Sequence, residues 1–187
     1  MTALELLVNI YDKLYECHYD DELLRKKQFL LDNVNDFDGL CPKGMINPDV
    51  INAVNVLNIA LKTVCKDIDW QYTENVRSVK NKLYDAFFKY EIYHINRVFK
   101  DGQIYAGFKR SASTGQMTVE DEGIYTFEYH TAQQLSEMTE QIHPSLTSCE
   151  DLIILVSCAY FELYSQHIDQ FKEYMDQYDD MLRKYEE

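Results

Sequence analysis

Five histidines (His18, His94, His130, His143, His167) and five cysteines (Cys17, Cys41, Cys65, Cys149, Cys158) are the side chains of this 187-residue chain best suited to hold a metal, act as a nucleophile or relay a proton. Their spacing argues against each use. No two histidines stand four apart, the step that puts two imidazoles on one helix face, and Cys17 and His18 are neighbours that point in different directions on a helix. The cysteines are odd in number, widely spaced and without a C-x-x-C pair, which predicts free thiols in a reducing compartment. Neither a G-x-S-x-G elbow, an H-E-x-x-H pair, a phosphate-cradling lysine loop nor G-x-G-x-x-G occurs. Among 32 acids, a glycosidase-type carboxylate pair cannot be separated from solvated surface residues. The sequence therefore predicts no catalytic, cofactor-binding or metal-ligating residue, and a protein that is not an enzyme.

Binding is better represented than catalysis. The chain holds 15 Tyr, 9 Phe and 1 Trp, and its formal charge of −14 is unevenly spread. Residues 77–110 carry eight Lys/Arg against Asp85, Glu91 and Asp101, a local +5, interleaved with Tyr84, Phe87, Phe88, Tyr90, Tyr93, Phe99, Tyr105 and Phe108. Cations among aromatic platforms suit single-stranded nucleic acid, while the same aromatics at alternate positions are ordinary strand residues. We expect transient contact with passing DNA rather than sequence reading. Residues 136–187 carry twelve acids against Lys172, Arg183 and Lys184, a local −9. That polarity suits head-to-tail or ring-like association of identical subunits, or a partner of complementary charge; two solvated faces are the plainer reading.

Composition bounds the class. With 46% hydrophobic and 27% charged residues the chain can build a packed core, and with 6 Gly, 3 Pro and no apolar run approaching about 18 residues it is neither collagen-like nor membrane-spanning. The opening Met-Thr-Ala-Leu-Glu has no basic stretch before an apolar run, so no secretion signal is expected and folding is expected in a cytoplasm.

The elements that must position these residues are mostly helical. Ala3, Leu6, Leu7, Ile10, Tyr11 and Leu14 mark one face of a first helix; a second starts at Asp20-Asp21 and is expected to bury Leu24, Leu31 and Val34. Asn47 as cap and Pro48 at the first helical position open a third, which is expected to bury Val50, Val54, Leu57, Leu61, Val64 and Ile68 and to end at Trp70. Val76, Val79 and Leu83 read as weakly helical. From Phe87 the pattern turns to strands, with Asp101-Gly102 as a hairpin turn followed by Ile104 and Tyr105. Ser148, with Asp151 three residues on, reads as the start of one helix running to Tyr185. Along its second part, Tyr164, Ile168, Phe171, Met175, Tyr178, Leu182 and Tyr185 form a heptad stripe, with Tyr174 beside it. Such a helix is roughly 55 Å long, so part of it is expected to project and meet a partner. The expected fold is mainly α: a helical bundle in one domain, with an N-terminal helical part (1–86), a small antiparallel β-hairpin insertion (87–130) and a long C-terminal helix (131–187).

The helical stretch from Ala60 through Trp70 to Tyr72, the β insertion, and His143-Pro144-Ser145-Leu146 ahead of the run from Ser148 to Tyr164 together resemble the head-to-tail adaptors of tailed bacteriophages, the ring-forming connectors beneath the portal. The resemblance implies a homo-oligomeric ring, commonly twelve-fold in such families, in the virion at the head-tail junction. Its neighbours would be the portal protein and the next tail component, with DNA passing through the channel and no cofactor. The stripe Tyr164, Ile168, Phe171, Tyr174, Met175, Tyr178, Leu182 and Tyr185 is then the expected partner interface, and Asp101, Gly102, Ile104 and Tyr105 an expected inter-subunit hairpin. The competing expectation is a cytoplasmic helical binding or regulatory module that dimerises through the stripe.

Overall fold

Thr2 and Glu5 close the first helix reciprocally: the Glu5 N–H donates to Thr2 Oγ1 at 3.2 Å and the Thr2 N–H to Glu5 Oε2 at 2.7 Å. The structure, a computed structural model, describes residues 1–111 and 113–186. They fall into two compact units, one made of Met1–Val64 with Gln133–Glu187, the other of Cys65–Ala132. With 49% helix and 21% strand, and antiparallel sheets of two, four and three strands, the fold is mixed α/β. This overturns the expected helical bundle with a single inserted hairpin region.

In the first unit, α1 (Ala3–His18) buries the expected stripe from Ala3 to Leu14. Helix α2 (Asp21–Asp32) is capped by Asp20, whose carboxylate accepts the Glu22 N–H at 2.8 Å. Its packed face differs from the expected one. Leu30 is 1% exposed, while Leu24 and Leu31 are 38% and 42% exposed and Val34 lies outside as well. The inward side carries Leu23, Lys26, Lys27 and Leu30, with the Lys27 ammonium paired to Asp12 of α1. Two half-buried lysines thus cover apolar surface with their stems, a role that a count of apolar residues does not register. A two-stranded hairpin follows, β1 (Phe37–Asp38) with β2 (Cys41–Pro42), and then α3 (Pro48–Asp67), where Asn47 Oδ1 accepts the Asp49 N–H at 3.0 Å.

The expected long C-terminal helix is two helices. A 3₁₀ turn (Pro144–Cys149) leads into α4 (Glu150–Tyr164), and Ser148, whose hydroxyl donates to the Ser145 carbonyl at 3.4 Å, is not its cap. After Ser165, Gln166 takes φ 65° and the chain turns into α5 (Ile168–Glu186), which folds back on α4; the rings of Tyr160 and Phe171 lie 6.4 Å apart. The break has no Gly or Pro to announce it. Main-chain bonds close the end of α4 instead, from Ser165 N–H to the Phe161 carbonyl at 3.0 Å and from His167 N–H to the Glu162 carbonyl at 2.8 Å.

Among the described residues, the second unit holds seven strands. The four-stranded sheet runs β3 (Gln71–Arg77), β9 (Ile124–His130), β5 (His94–Lys100), β6 (Gln103–Ile104), and the three-stranded sheet β4 (Lys82–Tyr84), β8 (Gln116–Thr118), β7 (Lys109–Arg110). In this unit the strands begin at Gln71 rather than Phe87, and the segment read as weakly helical contains β3 and β4. Tyr72, Glu74 and Val76 share the inward side of β3, so an acid interrupts the alternation that marks a strand. Glu74 is satisfied there: it accepts the Lys89 N–H at 3.0 Å and the Tyr129 hydroxyl. Strand β9 supplies the centre of the unit, burying Tyr125, Phe127 and Tyr129.

Candidate functional site

Of the residues expected to meet a partner on α5, the structure turns the middle of the set inward. Tyr174 and Tyr178 are buried, Tyr178 to 1% exposure, while Phe171, Met175 and Leu182 are half-buried. The Tyr174 hydroxyl donates to Cys17 Sγ of α1 at 2.9 Å, and burial, with that bond adding to it, pushes its phenol well above the ordinary tyrosine range. An amphipathic helix laid against its own unit explains the spacing without projection. Tyr164 (63% exposed), Ile168 and Tyr185 remain on the surface.

The expected hairpin is present in the second unit. Asp101 (φ 52°) and Gly102 (φ 76°) form the two-residue turn, and β5 meets β6 with Lys100 opposite Gln103 and Phe99 opposite Ile104. Both turn residues need positive φ, which Gly and Asp accept. Ile104 is 73% exposed. Tyr105 is held in place: its hydroxyl accepts the Glu120 N–H at 2.9 Å and donates to the Gly107 carbonyl at 3.1 Å, and its ring centroid lies 5.1 Å from that of Tyr125. Register places Ile104, Phe99 and Thr126 in one cross-strand row, with Ile124 two residues along β9, so Ile104 and Ile124 share a sheet face opposite the buried Tyr125 and Phe127.

Of the eight aromatics of the basic stretch, Phe88 and Tyr90 are buried, Phe99, Tyr105 and Phe108 are half-buried, and Tyr84, Phe87 and Tyr93 are exposed. Phe88 lies edge-on to Phe127 at 4.9 Å and Tyr90 edge-on to Tyr72 at 4.9 Å. Two of its cations are paired, Lys100 with Asp121 and Arg110 with Asp85, each at 2.9 Å. Counted over the whole second unit, nine Lys/Arg meet ten Asp/Glu, a net −1, which leaves nine against 22, or −13, on the first. The charge asymmetry therefore lies between a nearly neutral β unit and a strongly acidic helical one.

One cluster was not visible in the sequence. Glu162, in the last turn of α4, is 3% exposed, and its two carboxylate oxygens meet different imidazoles: Oε1 that of His18, the last residue of α1, and Oε2 that of His167, whose Nδ1 donates at 2.8 Å. An ionised carboxylate only accepts, so both rings donate to it. The rings lie 5.7 Å apart, and a cavity of about 430 Å³ opens beside them, walled also by Tyr11, Asp20, Lys26 and Ser165. The signal that points here is Glu162 itself, an acid on the stripe of Leu155 and Ala159 in a helix buried almost all round, where a charge requires partners. Among the other histidines, His130 Nδ1 stands 2.7 Å from Asp69 and His143 Nδ1 bonds the Ser145 hydroxyl at 2.7 Å.

No protein-family model matches the chain, and neither does any curated protein.

Proposed function

We propose that the chain is a structural subunit of a head-to-tail connector of a tailed phage, a homo-oligomeric ring that joins the portal to the next tail component and lets DNA pass. The observation that carries this reading is the outward stripe of Leu24 and Leu31 on α2, in a chain whose net charge of −14 would otherwise favour polar surface. A ring needs two different complementary patches on each subunit, because a head-to-tail contact repeats around an axis. The isoleucine pair on the open sheet face, Ile104 and Ile124, is the second patch in this reading. The −13 helical unit suits a channel wall, since an acidic lining repels phosphates and leaves the polymer free to slide, whereas counterion-releasing contacts would hold it. The resemblance in element order to phage adaptors supplies the identity of the neighbours. Dimerisation through the C-terminal stripe is less favoured, because Tyr174 and Tyr178 are covered within one chain.

Complementation tests the ring. One variant carries Leu24→Asp with Leu31→Asp, the other Ile104→Asp with Ile124→Asp. Neither should assemble alone, and mixed they should stop at heterodimers, since only one intact contact can form. Assembly of both variants to the wild-type extent would refute the head-to-tail contact.

A further inference from the structure

We infer that His18, Glu162 and His167 form a binding site for a divalent transition-metal ion of the zinc type. This stands apart from the ring reading and rests on the cluster alone. The three side chains come from the end of α1, the last turn of α4 and the turn before α5, and their ligand atoms lie within 4.8 Å of one another. Two imidazole nitrogens and one carboxylate are the donor set that zinc accepts, at about 2.0–2.2 Å for each bond. Calcium and magnesium prefer oxygen throughout.

Binding needs a modest rearrangement. A neutral imidazole that donates to Glu162 carries its proton on the nitrogen facing the carboxylate, Nε2 for His18 and Nδ1 for His167. Moving each proton to the other nitrogen of its ring frees a lone pair towards the carboxylate, so a neutral pair of imidazoles and one carboxylate remain as ligands, with no net proton released by the rings. Three protein ligands leave a fourth position, and the cavity of about 430 Å³ beside the cluster has room for water there, with Asp20 and Ser165 on its wall. Entry is open through His167, whose side chain is 53% exposed, while the carboxylate that carries the charge is sheltered at 3%. A bound ion would tie together residues 144 positions apart and stabilise the folded chain in proportion to its occupancy.

The test is zinc titration of the full chain, stripped with a chelator, against a competing chromophoric chelator at neutral pH. Two variants accompany it. His167→Ala removes a half-exposed ligand without opening the core, and Cys17→Ser removes the exposed thiol on the same helix end. One zinc per chain is expected, with affinity lowered by at least about tenfold in His167→Ala and unchanged in Cys17→Ser. Cobalt should give the visible absorption of a low-coordinate site without a thiolate charge-transfer band. Equal zinc affinity in wild type and His167→Ala, loss of binding in Cys17→Ser, or no binding by the wild type would each overturn the assignment.

Discussion

His18 and Glu162 hydrogen-bond across 144 residues of sequence, joining the last residue of the first helix to the end of the fourth. The contact gives a buried carboxylate one of its two partners; the other, His167, also closes the end of α4 through its main-chain N–H to the Glu162 carbonyl.

Substitution at Glu162 should therefore depend on what replaces it. Glu162→Gln keeps an acceptor for one ring, and the other ring can change tautomer to meet the new amide, so a loss below about 1 kcal/mol is expected. Glu162→Ala leaves two imidazole N–H groups facing a void and should lose about 2–3 kcal/mol. Urea unfolding of both variants checks the difference.

Tyr178 and Tyr164 separate the two parts of the C-terminal stripe. Tyr178→Ala removes a ring buried to 1% exposure and is expected to destabilise the chain by about 3 kcal/mol or more. Tyr164→Ala, at 63% exposure, should fall within about 0.5 kcal/mol of wild type. Chemical denaturation monitored by far-UV circular dichroism reads both.

At the hairpin, Gly102 has open space where a Cβ would sit, so Gly102→Ala meets no clash and the whole penalty comes from φ 76°. We expect a loss of about 1 kcal/mol in unfolding free energy, with unchanged secondary structure.

Alkaline pH should unfold the protein. Burial pushes the phenols of Tyr129 and Tyr174 and the thiol of Cys158 upwards, and Tyr129 is raised further by its bond to Glu74. A raised value means that the folded chain keeps its proton where the unfolded chain has lost it. Stability from these groups is complete below the unfolded values, about 8.5 for Cys and about 10 for Tyr, and declines above them by up to about 1.4 kcal/mol per group per pH unit. Absorbance titration of the tyrosines should show Tyr129 and Tyr174 ionising only together with loss of the far-UV signal.

What the sequence made legible was local. Asn47-Pro48 opens α3 and Asp101-Gly102 turns β5 into β6 because caps and tight turns depend on a few adjacent residues. The apolar stripe of α1 was legible for the same reason. Where a polar residue does the work of an apolar one, the pattern misled: Glu74 on the inner side of β3 hid a strand, and Lys26 and Lys27 on the packed side of α2 shifted its apparent face. The turn at Gln166 was masked because the heptad spacing from Tyr164 to Ile168 runs straight through it. Nothing local joins His18 to Glu162, so that cluster could appear only in three dimensions.

Assembly is tested most directly by cryo-electron microscopy of the chain co-expressed with a portal protein encoded in the same genome. The predicted result is a closed ring of this chain, twelve copies, seated on the portal, with the α2 leucines of each copy covered by its neighbour. Portal rings that never carry the chain, or a genome that encodes no portal, would contradict it.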